Sequence, residues 1–122
     1  MRYTSSIKKN TDFKRMYYSS RFKIGSLVVI YLKKNRLERT DLGITVSKKV
    51  GNAVIRNRVR RIILTAYREL EKKEDYKGFT IVVVARKSCC KVKMWDVLKE
   101  MRYILNFLKN ERKTKKDVVN RR

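Results

Sequence analysis

Ser47-Lys48-Lys49-Val50-Gly51-Asn52-Ala53-Val54-Ile55-Arg56-Asn57-Arg58-Val59-Arg60-Arg61 is the stretch on which both the fold and the surface chemistry turn. Gly51-Asn52 reads as a turn, with Asn52 the N-cap of a helix running to about Lys72. At about 100° per residue, Ile55, Val59, Ile62, Ile63, Ala66 and Leu70 collect on one side of that helix. Asn57, Arg60, Arg61 and Arg68 fall on the other, with Arg56 and Arg58 on the flanks. The stretch therefore predicts one helix with a core face and an arginine face.

The segments on either side read as strands. Leu42-Gly43-Ile44-Thr45-Val46-Ser47 alternates large apolar residues with small or polar ones, the period-2 pattern of a strand. Beyond Gly78, Phe79-Thr80-Ile81-Val82-Val83-Val84-Ala85 is a strand of the buried type. Strand, helix, strand is a βαβ unit, expected in a sheet with helices packed on it. Upstream, Leu27-Val28-Val29-Ile30-Tyr31-Leu32 is too short and too β-branched for a core helix and reads as another strand. A charged loop, Lys33 to Arg39, then predicts that this strand and the one from Leu42 form an antiparallel pair. Asn10 or Thr11 can cap an N-terminal helix that places Phe13, Met16 and Tyr17 on one face. A last helix, about Lys93 to Lys109, is expected to bury Trp95, Leu98, Met101 or the stem of Arg102, Leu105 and Leu108. Residues 1–110 thus read as a single domain, and 111–122 as a polar, basic tail expected to fray when free.

Composition limits what such a domain can do. On 122 residues, 34 Lys and Arg against 11 Asp and Glu give a formal charge of +23, which repels itself unless a polyanion neutralises it. A hydrophobic content of 43% still suffices for a core. No apolar run approaches the roughly 20 residues needed to span a bilayer, and Met1-Arg2-Tyr3-Thr4-Ser5-Ser6 does not lead into a signal peptide. A cytoplasmic protein with no membrane partner is expected, monomeric when free.

The catalytic repertoire is thin. The chain has no histidine, so it has no ready general base near neutral pH and no imidazole metal ligand. Glu38 and Asp41 flank a loop, while Glu69, Glu71, Glu74 and Asp75 crowd a helix end; none forms a recognisable metal motif, and they read as solvated charges and helix-end partners. Adjacent Cys89 and Cys90 cannot form an ordinary loop-closing disulfide and lack zinc-knuckle spacing, so two reduced thiols are expected.

Two constellations remain. Arg56, Asn57, Arg58, Arg60 and Arg61 offer planar guanidinium forks for phosphate oxygens and an amide for a base edge or ribose. Lys48 and Lys49 approach from the preceding loop, and the helix start at Asn52 adds free N–H groups. RNA or DNA contact is the reading. Phe13, Tyr17 and Tyr31 form the second group, on a helix and a strand. By periodicity they are core residues; beside a basic cleft they would instead stack on unpaired bases.

The Ser47–Arg61 run closely resembles the signature of the bacterial ribonuclease P protein subunit, including its Arg-Asn-Arg centre. Asp12-Phe13-Lys14-Arg15-Met16-Tyr17 resembles that family's N-terminal aromatic helix, Val28-Val29-Ile30-Tyr31 its first long strand, and Ile81-Val82-Val83-Val84-Ala85-Arg86-Lys87 its final strand. The likeness covers about residues 4–108. Two departures stand out: Tyr17 where phenylalanine is frequent, and Ser19-Ser20 in place of the usual glycine. The resemblance implies an α/β (α+β) two-layer sandwich with a small mixed sheet, packed helices and an unusual left-handed βαβ crossover, against the usual right-handed rule. It also implies a protein cofactor of a ribonucleoprotein that removes the 5′ leader of precursor tRNA. In that picture the catalyst is an RNA that binds Mg²⁺, and the protein alone binds no cofactor. Phe13, Tyr17, Val29 and Tyr31, with Ala85 and Lys87, would line a leader cleft; Arg56, Asn57, Arg58, Arg60 and Arg61 would face the RNA subunit or the nucleotides near the cleavage site. The rival is a non-catalytic ribosomal or RNA-chaperone protein, which would share the charge, the size and the mixed pattern.

Overall fold

A computed structural model describes residues 4–6 and 10–110. The elements are β1 (Thr4–Ser6), α1 (Asn10–Ser19), β2 (Arg21–Ile24), β3 (Val28–Lys34), β4 (Thr40–Thr45), α2 (Ala53–Glu71), β5 (Phe79–Ala85), a short 3-10 turn (Lys87–Lys91) and α3 (Met94–Asn110). The side chains of Asn10 and Thr11, where a cap is expected, and the tail 111–122 fall outside what is described. Neither β1 nor β2 was anticipated: at three and four residues, both are too short to show a period.

All five strands form one mixed sheet in the order β1-β4-β5-β3-β2. β4 and β5 are parallel neighbours joined through α2, which is the expected βαβ unit. The expected pairing of the strand at 28–34 with that at 40–45 does not occur. β5 lies between them, antiparallel to β3 and parallel to β4. The reason lies in two long-range hydrogen bonds: Asn35 N–H donates to Gly78 O at 2.9 Å and Gly78 N–H to Arg39 O at 3.0 Å, so both ends of the connection are tied to the residue that leads into β5. Gly78 does this at φ 87°, which only glycine adopts without strain. A connection that looks like a hairpin loop thus spans two strand spacings, roughly 10 Å.

The pleat separates two faces. Val28, Ile30 and Leu32 of β3 and Ile81, Val83 and Ala85 of β5 pack with Val59, Ile63, Ala66, Tyr67 and Leu70 of α2 and Val97, Met101, Ile104, Leu105 and Leu108 of α3 in one core. This sheet-and-helix sandwich is the body of the domain. On the opposite face lie Tyr31 and Val82, register partners, with the short α1 across them. Met16 and Val82 are buried there, outside the main core.

Two expectations for the helices need correcting. Trp95 is 63% exposed. It lies about 120° from the middle of the buried face of α3, which Val97 and Ile104 complete instead. In α2, Ile55 and Ile62 are only half-buried, and Tyr67 joins the core. Burial raises the Tyr67 hydroxyl to about 12 from its ordinary 10.0, with the nearby Glu71 carboxylate adding to the effect.

One carboxylate fastens the β2–β3 turn to α3. Glu100 accepts from Ser26 N–H at 3.0 Å and Ser26 Oγ at 2.7 Å on one oxygen, and from Leu27 N–H at 2.7 Å and Val28 N–H at 2.8 Å on the other. Gly25 is required beside it, because a Cβ there would stand 2.5 Å from the Glu100 carboxylate oxygen. The turn's carbonyls are taken from the other side: Arg86 donates from its side chain to Gly25 O at 2.6 Å and from its N–H to Leu27 O at 2.8 Å.

Glu100→Ala should therefore lower the unfolding free energy by about 2–3 kcal/mol, read as a shift in urea midpoint, because three backbone donors lose a charged acceptor. Tyr67 sets an alkaline limit. Its folded value lies above its unfolded one, so the stability held by the neutral hydroxyl is whole below pH 10.0 and is lost as pH rises towards about 12. Across that window, urea titrations of Tyr67→Phe should show a shallower loss than the wild type, the difference approaching about 1.4 kcal/mol per pH unit.

Candidate nucleic-acid interface

The arginine face is built as its sequence predicts. Asn52 caps α2, its side-chain oxygen accepting from Ile55 N–H at 3.0 Å. That oxygen is engaged in the fold, and what Asn52 offers a ligand is its place at the positive end of the helix. Lys48, Lys49, Asn57, Arg60, Arg61 and Arg68 are all exposed. Arg60 donates to Asn57 Oδ1 at 3.3 Å, which holds an amide and a guanidinium side by side. Arg56 is half-buried, its Nε donating to Gly51 O at 3.2 Å across the turn. Arg68 shares the face but lies two helical turns beyond Arg61, roughly 10 Å further along α2.

Arg58 has a different place. Its two terminal nitrogens donate to Cys90 O at 2.8 Å and Val92 O at 3.2 Å. The guanidinium thus pins the segment between β5 and α3 to α2. Lys87 and Lys91 are exposed on that segment, so Arg58 positions cations as well as carrying one. Both cysteines of the segment are free thiols, Cys89 buried and Cys90 half-buried. Desolvation, with Glu100 nearby, pushes the Cys89 thiol up to about 11, so it is protonated at neutral pH.

The aromatic constellation lies on the sheet face that α1 crosses. Tyr17 and Tyr31 rings are tilted with centroids 5.0 Å apart, and Tyr31 stacks on Phe22 of β2 at 5.5 Å. Tyr17 Oη is 3.4 Å from Thr45 Oγ1, at the carboxyl end of β4. Register adds Val29, opposite Ile24 on one side and Val84 on the other. Phe13 lies one turn before Tyr17 on α1, and Phe13, Tyr17, Phe22, Val29, Tyr31 and Val84 are all half-buried. They are partly covered side chains on an open face and do not belong to the main core.

Ala85 is not part of this group. It is 6% exposed and packs in the main core opposite Val28, because one step along a strand reverses the face. Its neighbour Val84 occupies the outer face instead. The unbroken apolar run of β5 hides that alternation in the sequence, while Phe22 was missed because β2 was. The alternation of Leu42-Gly43-Ile44-Thr45 was the available signal for Thr45.

Topology brings the two constellations together. Lys48, Lys49 and Asn52 follow the carboxyl end of β4, and Lys87 follows the carboxyl end of its parallel neighbour β5. Thr45 and Val84, which end the aromatic face, are register partners at the same edge. Ligands of open α/β sheets bind beyond the carboxyl ends of parallel strands, and here that edge is a basic rim. The ion pairs Arg39–Asp41 and Lys72–Glu69 involve none of these residues.

Arg58→Lys should loosen the clamp, since an ammonium cannot serve two carbonyls with a planar fork. Amide hydrogen exchange in 87–93 should speed up, with a loss of about 1–2 kcal/mol of stability. Arg61→Lys should leave both unchanged.

Comparisons with known proteins bear on the family and the fold. The family profile for ribonuclease P matches residues 1–109. A ribonuclease P protein component of Alkaliphilus metalliredigens is 40% identical over 89 residues, covering 73% of this chain and 79% of that one. One from Clostridioides difficile is 37% identical over 102 residues, covering 84% and 90%. The Staphylococcus aureus RNase P protein structure superposes with a TM-score of 0.74 at 31% identity, over 84% of this chain and 93% of that one. The RNase P protein from Thermotoga maritima does so at 0.73 and 28%, over 88% and 97%. Among the described residues no helix is long and apolar enough to cross a membrane. The chain belongs to the ribonuclease P protein component family, the protein part of the endoribonuclease ribonucleoprotein that associates with ribonuclease P RNA and matures tRNA 5′ ends.

Proposed function

We propose that this subunit holds the single-stranded 5′ leader of precursor tRNA across the α1 face of its sheet, while the arginine face of α2 and the rim at Lys48, Lys49 and Lys87 hold phosphates of the ribonuclease P RNA and of nucleotides near the cleavage site. The observation that carries this reading is the row Tyr17, Tyr31, Phe22, half-buried and in mutual ring contact on a face that ends at the basic rim. Every base has a flat face, so rings in a row bind an unpaired strand with little regard to its sequence. Arginine forks add phosphate binding that is equally indifferent to sequence.

Hydrolysis is assigned to the RNA subunit and the Mg²⁺ it binds, with the protein supplying no acid, base or nucleophile. What several carboxylates are used for supports this: Asp41 pairs with Arg39, Glu69 with Lys72, and Glu100 with backbone. The protein would act in the cytoplasm, where precursor tRNA is processed. When free it would be a monomer, its edge strand β2 carrying Arg21 and Lys23, charges that discourage edge-to-edge pairing.

Reconstitution with a bacterial ribonuclease P RNA at low magnesium tests the reading. Tyr31→Ala or Tyr17→Ala should weaken binding of leader-bearing precursor by roughly 1–3 kcal/mol while mature tRNA binds as before. Arg60→Ala and Arg61→Ala should instead weaken both, each flattening the slope of log K against log salt by roughly 0.7–0.9. An unchanged affinity ratio between leader-bearing and leaderless tRNA in folded aromatic variants would remove the leader from this face.

A further inference from the structure

α3 presents two opposite faces. Val97, Leu98, Met101, Ile104, Leu105 and Leu108 are buried. Lys99, Arg102, Tyr103, Asn106 and Phe107 form a stripe on the far side, at i, i+3, i+4, i+7 and i+8, along an open groove of about 590 Å³. Tyr103 is 62% exposed and Phe107 37%. Lys23 of β2 holds its ammonium 4.4 Å from the Phe107 ring centroid and 5.7 Å from that of Tyr103. Lys23 is the register partner of the core residue Ile30, so it belongs to the helix-bearing face of the sheet. The groove is therefore on the other side of the sheet from Tyr17 and Tyr31.

The chemistry of the stripe selects its occupant. A two-fold contact with a second copy would set Lys23, Lys99 and Arg102 against themselves, with no carboxylate in the stripe to offset them. Residues 111–122 include Arg112, Lys113, Lys115 and Lys116, which the same charges repel. A duplex hides the faces of its bases. An unpaired strand satisfies every group at once: its bases stack on Tyr103 and Phe107, its phosphates meet Lys23, Lys99 and Arg102, and Asn106 can bond a base edge or a ribose hydroxyl. We propose that this groove is a second binding surface for single-stranded RNA, separate from the leader face and open while that face is occupied. The α3 crosslink and its loss on substitution read this groove alone, whereas the second class in the test rests on the leader assignment.

The test uses the full chain and a short oligouridylate carrying fluorescein and one 4-thiouridine. Titration should show two classes of bound oligonucleotide, and irradiation should crosslink the α3 segment around Tyr103 and Phe107 as well as α1 or β3. The double variant Tyr103→Ala, Phe107→Ala should lose the α3 crosslink and weaken one class about tenfold or more, leaving the other intact. Tyr31→Ala should do the reverse, and Tyr103→Phe should bind as wild type, because stacking needs the ring and not the hydroxyl. Neither ring belongs to the main core, Tyr103 being largely and Phe107 partly exposed, and the circular dichroism of the double variant should overlay that of the wild type. Absence of any α3 crosslink in the wild-type protein, which needs no variant to fold, would overturn the proposal. So would a single class abolished by Tyr31→Ala and untouched by the double variant, or sedimentation showing that the double variant breaks a dimer.

Discussion

Strand β5 is the constraint on which the molecule rests. It is hydrogen-bonded along both edges, parallel to β4 and antiparallel to β3, and it carries apolar side chains on both faces. Its odd-numbered residues close the core against α2 and α3, while its even-numbered residues, Val82 and Val84, support α1 and Tyr31. A strand so placed cannot slip by one residue without exchanging the two faces. The rigidity of the outer aromatic surface is therefore a consequence of the main core behind it, which sets the register of the same backbone.

The strong positive charge shapes how the few acids are used. Glu100 serves backbone donors of the β2–β3 turn, and Glu71 accepts from Thr4 of β1. Asp41 and Glu69 pair with neighbouring cations close in sequence. Acids spent this way leave the arginine face of α2 without nearby neutralising partners among these pairs, and an incoming polyanion meets charge that the fold has not already cancelled. The same logic separates members of the arginine cluster. Arg60 and Arg61 stand in solvent, whereas Arg58 satisfies two carbonyls and Arg56 one, so a motif that reads as uniform in sequence divides into a solvent-facing part and a positioning part.

Much of this is legible in the sequence. The α2 helix, its Asn52 cap and its two faces follow from a 3.6-residue period that burial obeys at Val59, Ile63, Ala66 and Leu70. The βαβ unit follows from the runs on either side. What could not be read depends on partners distant in the chain. The insertion of β5 between β3 and β4 is decided by hydrogen bonds of Gly78 to Asn35 and Arg39, which no local pattern encodes. Ala85 and Val84 could not be told apart because the β5 run is apolar throughout and its period is invisible. Trp95 was misplaced because a three-residue spacing to Leu98 fits two helix phases, and only the packing of Val97 and Ile104 chooses between them. A left-handed crossover is implied by the family resemblance alone, since a general rule points the other way.

Binding an unpaired strand raises a difficulty that folded ligands do not: the strand loses its own conformational freedom on binding, and the surface must not add to that loss. Side chains already in ring contact meet this demand. Tyr31 holds Tyr17 at 5.0 Å and Phe22 at 5.5 Å, and its strand β3 is hydrogen-bonded to β5 on one side and β2 on the other. Little rotamer entropy remains to be lost when a base is added to the row. Lys23, Tyr103 and Phe107 repeat the device on the other face, a cation already resting on two rings. Free side chains of the same composition would bind the same groups less well. In the proposed reading, this small protein would contribute a pre-ordered surface on which a flexible strand can be extended, with the hydrolytic chemistry left to its RNA partner.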